Sequence, residues 1–463
     1  VPNRFEYGYG LTPEIVRLAA QKKPHVLITV DNGIASHAGI DEAHRLGMRV
    51  WVTDHHLPAE TLPDADIIVN PNQPDCGFAS KHLAGVGVMF YVMLALRAEL
   101  RRRGVFATHP EPNLAQLLDI VALGTVADVV ALDDNNRILV RHGLARIRAG
   151  KAYAGIQALY QVAAREMRRA SAWDLGFMLG PRLNAAGRLT DMSLGIELLL
   201  TDDASRAAQL AQQLDALNRE RRAIETEMQD SALLLTEAIA ADACYSLSLF
   251  DATWHPGVIG ILASRLKDKF HRPVIAFARG EQGELKGSGR SIPGFHLRDA
   301  LDLVSKRHPK ILKKFGGHAM AAGLTLAESD LPAFRDAFET VAAALLTPAL
   351  LARAVETDGS LPPEEAGLDT AQTLAEQVWG QGFPEPQFVD RFQVRAQRII
   401  SEKHTKLRLL RDAEEFDAIL FYKAETLPEQ VDAVYRLDIN EYQGRRSVQL
   451  ILQHWVDVAE SEA

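Results

Sequence analysis

The chain has 463 residues, with 51 Lys and Arg against 60 Asp and Glu for a net charge of −9, and 47% of its residues are hydrophobic. This length corresponds to two to four domains, and the acidic balance excludes a protein coated in nucleic acid while leaving room for a local basic groove. No run approaches the roughly 18–20 apolar residues of a membrane crossing, and no basic-plus-apolar leader signals secretion. Cys76 and Cys244 are too few for a disulfide scaffold or a zinc site, so a reducing cytoplasm is the expected compartment.

In chain order, residues 25–30 (His-Val-Leu-Ile-Thr-Val) are a continuous apolar run that predicts a buried strand. Residues 38–46 read as a helix, 48–53 as a second strand and 66–70 as a third, the alternation of a parallel α/β sheet. From about 82 to 240 the pattern is mostly helical. Residues 203–240 read as one long polar helix with Asn218-Arg219-Glu220-Arg221-Arg222 at its middle. Charged on most faces, it is not expected to lie deep in a core and suits a bridge between lobes, with an ordinary surface helix as the alternative. A second α/β unit starts near 245, with a strand at 246–250, a helix at 257–269 and a strand at 273–278. Glycine-rich stretches follow at 286–294 and 315–323, then an alanine-rich helical segment at 330–350 and a linker near 355–365. Short strand-like runs at 392–394, 406–410, 418–421 and 447–452 predict a small β-barrel.

Asp31 follows the first strand and Asp54-His55-His56 the second. If those strands are parallel neighbours, both groups emerge at the carboxyl edge of one sheet, where open α/β sheets place their ligands. Carboxylate and imidazole together suit Mg²⁺ or Mn²⁺, and Gly33 permits a tight turn beside them. The plainer alternative is an Asp that caps a helix beside two unrelated histidines. Asp128 ends an apolar helix, where an acid is electrostatically misplaced unless a cation offsets it; a buried, hydrogen-bonded Asp is the alternative.

Thr29-Val30-Asp31-Asn32-Gly33, Val52-Thr53-Asp54-His55-His56 and residues 124–128 resemble successive motifs of the DHH phosphoesterase superfamily. Further stretches resemble the RecJ family of single-strand-specific 5′ to 3′ exonucleases within it. These are Pro181-Arg182-Leu183-Asn184-Ala185-Ala186-Gly187-Arg188, His255-Pro256-Gly257-Val258-Ile259-Gly260, Pro2-Asn3-Arg4 and Gly8-Tyr9-Gly10-Leu11. Gly287-Ser288-Gly289-Arg290-Ser291 and Phe315-Gly316-Gly317-His318 are similar to the associated DHHA1 domain, and Trp379-Gly380-Gln381-Gly382-Phe383-Pro384 to the oligonucleotide-binding domain. The resemblance spans essentially the whole chain.

The resemblance implies an α/β protein in four parts. A DHH domain with a parallel sheet occupies 1–202, a connecting helix 203–240, a DHHA1 α/β domain 241–352 and an OB-like nucleic-acid-binding barrel 353–463. It implies a metal-dependent exonuclease that degrades single-stranded DNA to mononucleotides in repair and recombination. Asp31, His55 and Asp128 would ligate Mn²⁺ or Mg²⁺ in a two-ion site. His56 would contact the scissile phosphate, and Asp54, His55 and His56 would act in catalysis, Asp54 by ligating metal or by orienting a histidine. Arg4, Arg182, Arg188, Ser288, Arg290 and His318 would bind the substrate, Arg290 and Ser288 from a glycine-rich loop that grips a terminal phosphate. Without the resemblance, an Arg in such a loop reads as a solvated turn.

The family's Asp-x-Asp-x-x-Gly motif would fall upstream of Val1, so the sequence reads as N-terminally truncated, with the remaining metal ligands on that earlier strand. The expected partners are single-stranded DNA with a 5′ end, single-strand-binding protein and a repair helicase, on a monomeric protein. Trp379, Phe383, Phe388, Phe392 and Tyr422 are candidates for base stacking, with barrel-core packing expected for most of them. Two other readings are a DHH hydrolase of short oligonucleotides or small phosphoesters, and a catalytically inactive nucleic-acid-binding relative.

Overall fold

In the computed structural model, which describes residues 7, 10–238, 244–280 and 283–458, the first sheet is parallel throughout. Val26–Val30 (β1) pairs with Arg49–Thr53 (β2), and β2 with Ile67–Val69 (β3), in the order β1-β2-β3. It lies in the first of two units, made of Val1–Pro181, Ile196–Ala211 and Glu356–Ala463. The helices Pro13–Ala20 and His37–Arg45 close one core of this unit through Val16, Ile40, Ala43, Val50 and Val52. The apolar run of β1 predicts burial on both faces, and the structure departs from this. Alternation along a strand sends Ile28, Val30, Trp51, Ile67 and Val69 away from that core, and all five are exposed.

The mostly helical stretch supplies Gly85–Arg102, Leu118–Ala127, Asp134–Arg148 and Ala154–Val162. Asp133 starts the third of these by accepting the Asn136 N–H at 2.9 Å. Among the described residues, no helix is long and apolar enough to cross a membrane.

The same unit contains a closed barrel of Phe388–Ile400 (β9), His404–Arg411 (β10), Glu414–Leu420 (β11), Gln430–Tyr442 (β12) and Arg445–Asp457 (β13), in the order β10-β11-β13-β12-β9. All its pairs are antiparallel except β11 with β13. Period-2 alternation turns Leu407, Leu409, Val431, Ala433, Tyr435, Leu450 and Leu452 inward. One ionic group sits among them: Asp390 Oδ2 accepts from Arg411 Nη1 at 2.7 Å and from the Tyr435 hydroxyl at 2.6 Å. The segment leading into the barrel is fixed to the helices of its own unit by Leu132 N–H donating to the Gln381 carbonyl at 2.7 Å. Arg137 also lies over the Phe383 ring, 3.7 Å from its centre.

The second unit, Arg182–Gly195 with Gln212–Val355, holds a five-stranded sheet. Its strands are Leu247–Phe250 (β4), Val274–Arg279 (β5), Glu284–Arg290 (β6), Lys314–Gly317 (β7) and Ala321–Ala327 (β8), in the order β4-β5-β6-β8-β7, with only β4 and β5 parallel. β5 is buried on both faces, Ile275 and Phe277 entering one core and Val274, Ala276 and Ala278 another. In the first core Phe334 stacks on Phe338 and meets Phe277 edge-on; each such fully buried ring contributes about 1.5–3 kcal/mol.

The glycine-rich stretches are mostly strand rather than loop. Gly287 and Gly289 lie within β6, where an added Cβ would stand 2.6 Å from Phe277 and 2.7 Å from Leu297. Glycine here admits packed side chains against the strand instead of turning the chain. The long helix is Ala204–Ala238, 35 residues, inside the predicted bounds. Its central charges are not all solvated, contrary to the polar pattern. Arg221 and Glu225 are buried, Arg221 donating to Glu225 at 2.6 Å and to Asn218 at 3.0 Å, while Arg265 donates to Glu225 at 3.0 Å. Burial is tolerated because each charge meets a partner.

Candidate metal centre

Parallel pairing of β1 with β2 brings their carboxyl ends side by side, Val30 opposite Thr53. Two threonines tie the ends: Thr53 Oγ1 donates to the Thr29 carbonyl and Thr29 Oγ1 to the Asn32 carbonyl, both at 2.7 Å. Asp31 N–H donates to the Thr53 carbonyl at 2.9 Å, and its backbone adopts φ +66°. That left-handed conformation costs a non-glycine residue about 1–2 kcal/mol.

His55 Nε2 lies 2.9 Å from Asp31 Oδ1 and 3.3 Å from Asp128 Oδ2. The ring nitrogen is buried and makes no hydrogen bond among the described residues. Asp128 follows the Leu118–Ala127 helix as its C-terminal cap. Burial pushes its carboxyl above the ordinary range, a shift that the His55 charge opposes and Asp31 reinforces.

Asp54 is 1% exposed and its oxygens are engaged. Oδ2 accepts Ile34 N–H at 3.0 Å; Oδ1 accepts the amides of His55 and His56 at 2.8 and 3.2 Å and lies 2.7 Å from His56 Nδ1. Burial alone would raise its pKa, but the bonds from the His56 ring and from the Ile34 and His56 amides outweigh it and hold the carboxyl low. The bond to Asp54 in turn raises the His56 pKa against the opposing effect of burial, with further support from the charges of Asp54, Asp31 and Asp128.

Two supporting residues escape sequence reading. Asn70 and Asn72, just past β3, donate to the His56 carbonyl at 2.9 Å and the His55 carbonyl at 2.6 Å. Their only sequence signal is the Asn-Pro-Asn turn itself.

Asp31, Asp54, His55 and His56 each offer a ligand atom, all within 4.8 Å of one another. Asp128 joins through His55. A buried imidazole nitrogen facing two carboxylates without hydrogen-bonding either fits a divalent cation with oxygen and nitrogen ligands.

Of the residues expected to hold substrate, Arg4 lies outside the described residues. The others belong to the second unit. Ser288 and Arg290 sit on β6, Arg290 Nη1 donating to Gly289 O at 2.8 Å and to Ser288 Oγ at 3.2 Å. Both side chains border Gly260, in the first turn of the Ile259–Phe270 helix. Arg188 Nη1 donates to Gly257 O at 3.2 Å, just before that helix. His318 N–H donates to the Ala321 carbonyl at 2.8 Å, and Ala321 pairs with Arg290 across β6 and β8. Burial lowers the Arg290 pKa, and no described carboxylate offsets its charge. Arg182 differs: it is 8% exposed and paired with Asp215 at 2.9 Å.

The carboxyl edge of the parallel sheet thus gathers groups that could hold a divalent ion, as a metal-dependent phosphoesterase requires. Comparison with known proteins agrees. Residues 1–125 match the DHH family N-terminal domain, 239–344 the DHHA1 domain and 357–454 the RecJ OB domain. The chain is 54% identical to the single-stranded-DNA-specific exonuclease RecJ of Dickeya dadantii and 51% identical to that of Escherichia coli, covering 98% of this chain and 81% of each relative. It is similar to the Mn²⁺ complex of RecJ from Thermus thermophilus with a TM-score of 0.81 at 31% identity, over 96% of this chain. It spans 63% of that solved chain. The chain belongs to the RecJ family.

Proposed function

We infer that this chain is the nuclease body of a metal-dependent exonuclease, which degrades single-stranded DNA from its 5′ end to mononucleotides in DNA repair and recombination. The observation that carries the reading is the placement of His55 Nε2 between Asp31 and Asp128. Asp31, His55 and Asp128 would hold Mn²⁺ or Mg²⁺, the ions of the T. thermophilus RecJ structures. A bound divalent ion supplies Lewis-acid polarisation of phosphoryl oxygen and acidifies water. Asp54, 2.7 Å from His56 Nδ1, orients that ring so that it can hydrogen-bond to the scissile phosphate. Asn70 and Asn72 hold the backbone that carries both histidines.

Arg290 is the chief candidate for gripping the strand end, with Ser288, Arg188 and His318. A half-buried guanidinium with no acidic partner among the described residues is suited to a phosphate. Arg290→Ala is expected to cost about 2 kcal/mol, roughly 30-fold in kcat/KM, on 5′-phosphorylated strands. Parallel assays on 5′-hydroxyl strands check this, and an unchanged preference removes Arg290 from the terminal pocket. Arg182, engaged by Asp215, supports the architecture around it.

Among the five aromatic candidates, Phe392 is core and Phe388 packs against the core. Trp379 and Phe383 stack on each other at 5.1 Å. Tyr422 is 84% exposed beside Phe421, with φ +56° and its N–H donating to His404 Nδ1 at 2.8 Å. An exposed ring whose backbone is fixed in this way suits base stacking, worth about 1–3 kcal/mol per base. In protein silenced by Asp128→Ala, Tyr422→Ala is expected to weaken single-stranded DNA binding roughly 5- to 150-fold by fluorescence anisotropy.

The division into 1–202, 203–240, 241–352 and 353–463 belongs to the same proposal, as do a cytoplasmic monomer and partnership with single-strand-binding protein and a repair helicase. The deciding experiment incubates the full-length protein with 5′-labelled single-stranded DNA and Mn²⁺. Metal-dependent release of mononucleotides supports the reading. Cleavage of dinucleotides alone would favour a small-substrate hydrolase, and binding without cleavage an inactive relative.

A further inference from the structure

We propose that Gly85 and Gly124 are positioning residues of the metal centre, their lack of side chains setting the separation of Asp31 and Asp128. The inference rests on the reading that Asp31, His55 and Asp128 hold a cation.

Gly85 is the buried first residue of the Gly85–Arg102 helix. A Cβ there would stand 2.5 Å from both Asp31 Cβ and Asp31 Oδ1, and 2.6 Å from Asp31 Cγ. Because the Cβ of Asp31 is among these atoms, rotating the carboxylate does not relieve the contact; the backbone must move. That backbone is already pinned at φ +66° by the bond from Asp31 N–H to Thr53 O. The Asp31 carboxylate therefore rests on the bare start of a helix.

The next residue, Val86, faces the other ligand-bearing element. A Cβ on Gly124 would stand 2.7 Å from Val86 Cγ1 and 3.2 Å from Val86 Cβ. Gly124 lies in the last turn of the Leu118–Ala127 helix, and its carbonyl accepts the Asp128 N–H at 2.9 Å. The residue after Asp128, Val129, is itself held at φ +63°. The turn Gly85-Val86 is thus wedged between Asp31 on one side and the helix ending in Asp128 on the other. With both contacts closed, His55 Nε2 stands 2.9 Å from one carboxylate and 3.3 Å from the other.

Alanine is the better helix former, so a glycine inside the Leu118–Ala127 helix runs against propensity. A spacing role accounts for it. Two opposite expectations separate the readings: an indifferent glycine is improved by alanine, whereas a spacer is broken by it.

The test measures Mn²⁺ affinity by electron paramagnetic resonance in the full-length protein, alongside thermal unfolding in EDTA. Gly85→Ala and Gly124→Ala are each expected to weaken Mn²⁺ binding about 10- to 100-fold, the range seen when groups supporting metal ligands are altered. Adding Val86→Ala to Gly124→Ala removes the Cγ1 contact and is expected to restore affinity, while unfolding in EDTA separates lost metal binding from lost stability. If Gly85→Ala does not fold, Gly124→Ala and its Val86→Ala rescue decide. Unchanged Mn²⁺ affinity in folded Gly124→Ala protein, or weakening that Val86→Ala leaves in place, overturns the proposal. Failure of the unsubstituted protein to bind Mn²⁺ would instead overturn the metal-centre reading on which it rests.

Discussion

Asp128→Ala is expected to lower metal-dependent release of nucleotides by roughly 10³-fold or more, with the protein still folded. Lewis-acid stabilisation of the attacked phosphate is worth several kcal/mol, and each 1.36 kcal/mol is about tenfold in rate. Asp128 is one of two carboxylates against His55 Nε2. Its removal leaves a buried imidazole nitrogen and a single acid, a poor cation site. The fold should survive because the Asp128 carboxylate, a third exposed at 35%, makes no other ion pair among the described residues. Chelation of the unsubstituted protein should produce the same loss, reversed by adding Mn²⁺ back. Asp128→Ala should recover little at the same concentration. Activity that survives both treatments would exclude this centre from the chemistry.

The second large effect falls on stability. Asp390→Ala is expected to destabilise the barrel by about 3–5 kcal/mol, because it strands a buried cation. Arg411 and Asp390 are each 8% exposed in their side chains. Asp390 Oδ2 serves Arg411 and Tyr435 together, while Oδ1 accepts from Ser360. Removing the carboxylate leaves Arg411 with the Leu361 carbonyl at 2.9 Å as its remaining strong partner. Asp390→Asn retains an acceptor and should lose less. Urea unfolding followed by tryptophan fluorescence measures both, and equal midpoints for Asp390→Ala and the unsubstituted protein would sink the argument.

The sequence reveals the chemistry more readily than its support. Asp31 and Asp54-His55-His56 are legible because each follows an apolar run, and parallel pairing puts both ends at one edge. Whether Asp54 ligates or orients does not follow from spacing. It depends on the amides of Ile34, His55 and His56 that surround it, which only the closed loop supplies. Arg182 looks like its neighbour Arg188 in sequence, since nothing in its motif points to Asp215 on another helix. The glycine-rich stretches read as loops because glycine also marks turns; the packing of Phe277 and Leu297 that requires it in β6 is tertiary. β12 does not stand out among the strand-like runs, although Val431, Ala433, Tyr435 and Leu437 alternate inward along it. The long helix is legible in length, but its polar pattern conceals that Arg221 and Glu225 are buried as a pair.

The three proposed ligands, Asp31, His55 and Asp128, come from the end of β1, the end of β2 and the end of the Leu118–Ala127 helix. An unfolded chain does not gather them, so a cation that binds there binds the native state alone. The centre is then also a thermodynamic brace. At free metal roughly 100 times its dissociation constant, mass action adds about 2.7 kcal/mol to the resistance of this unit to unfolding. Deprived of its ion, the chain loses part of its margin against proteolysis along with its chemistry, so that metal supply governs how much of the protein persists as well as how fast it cuts.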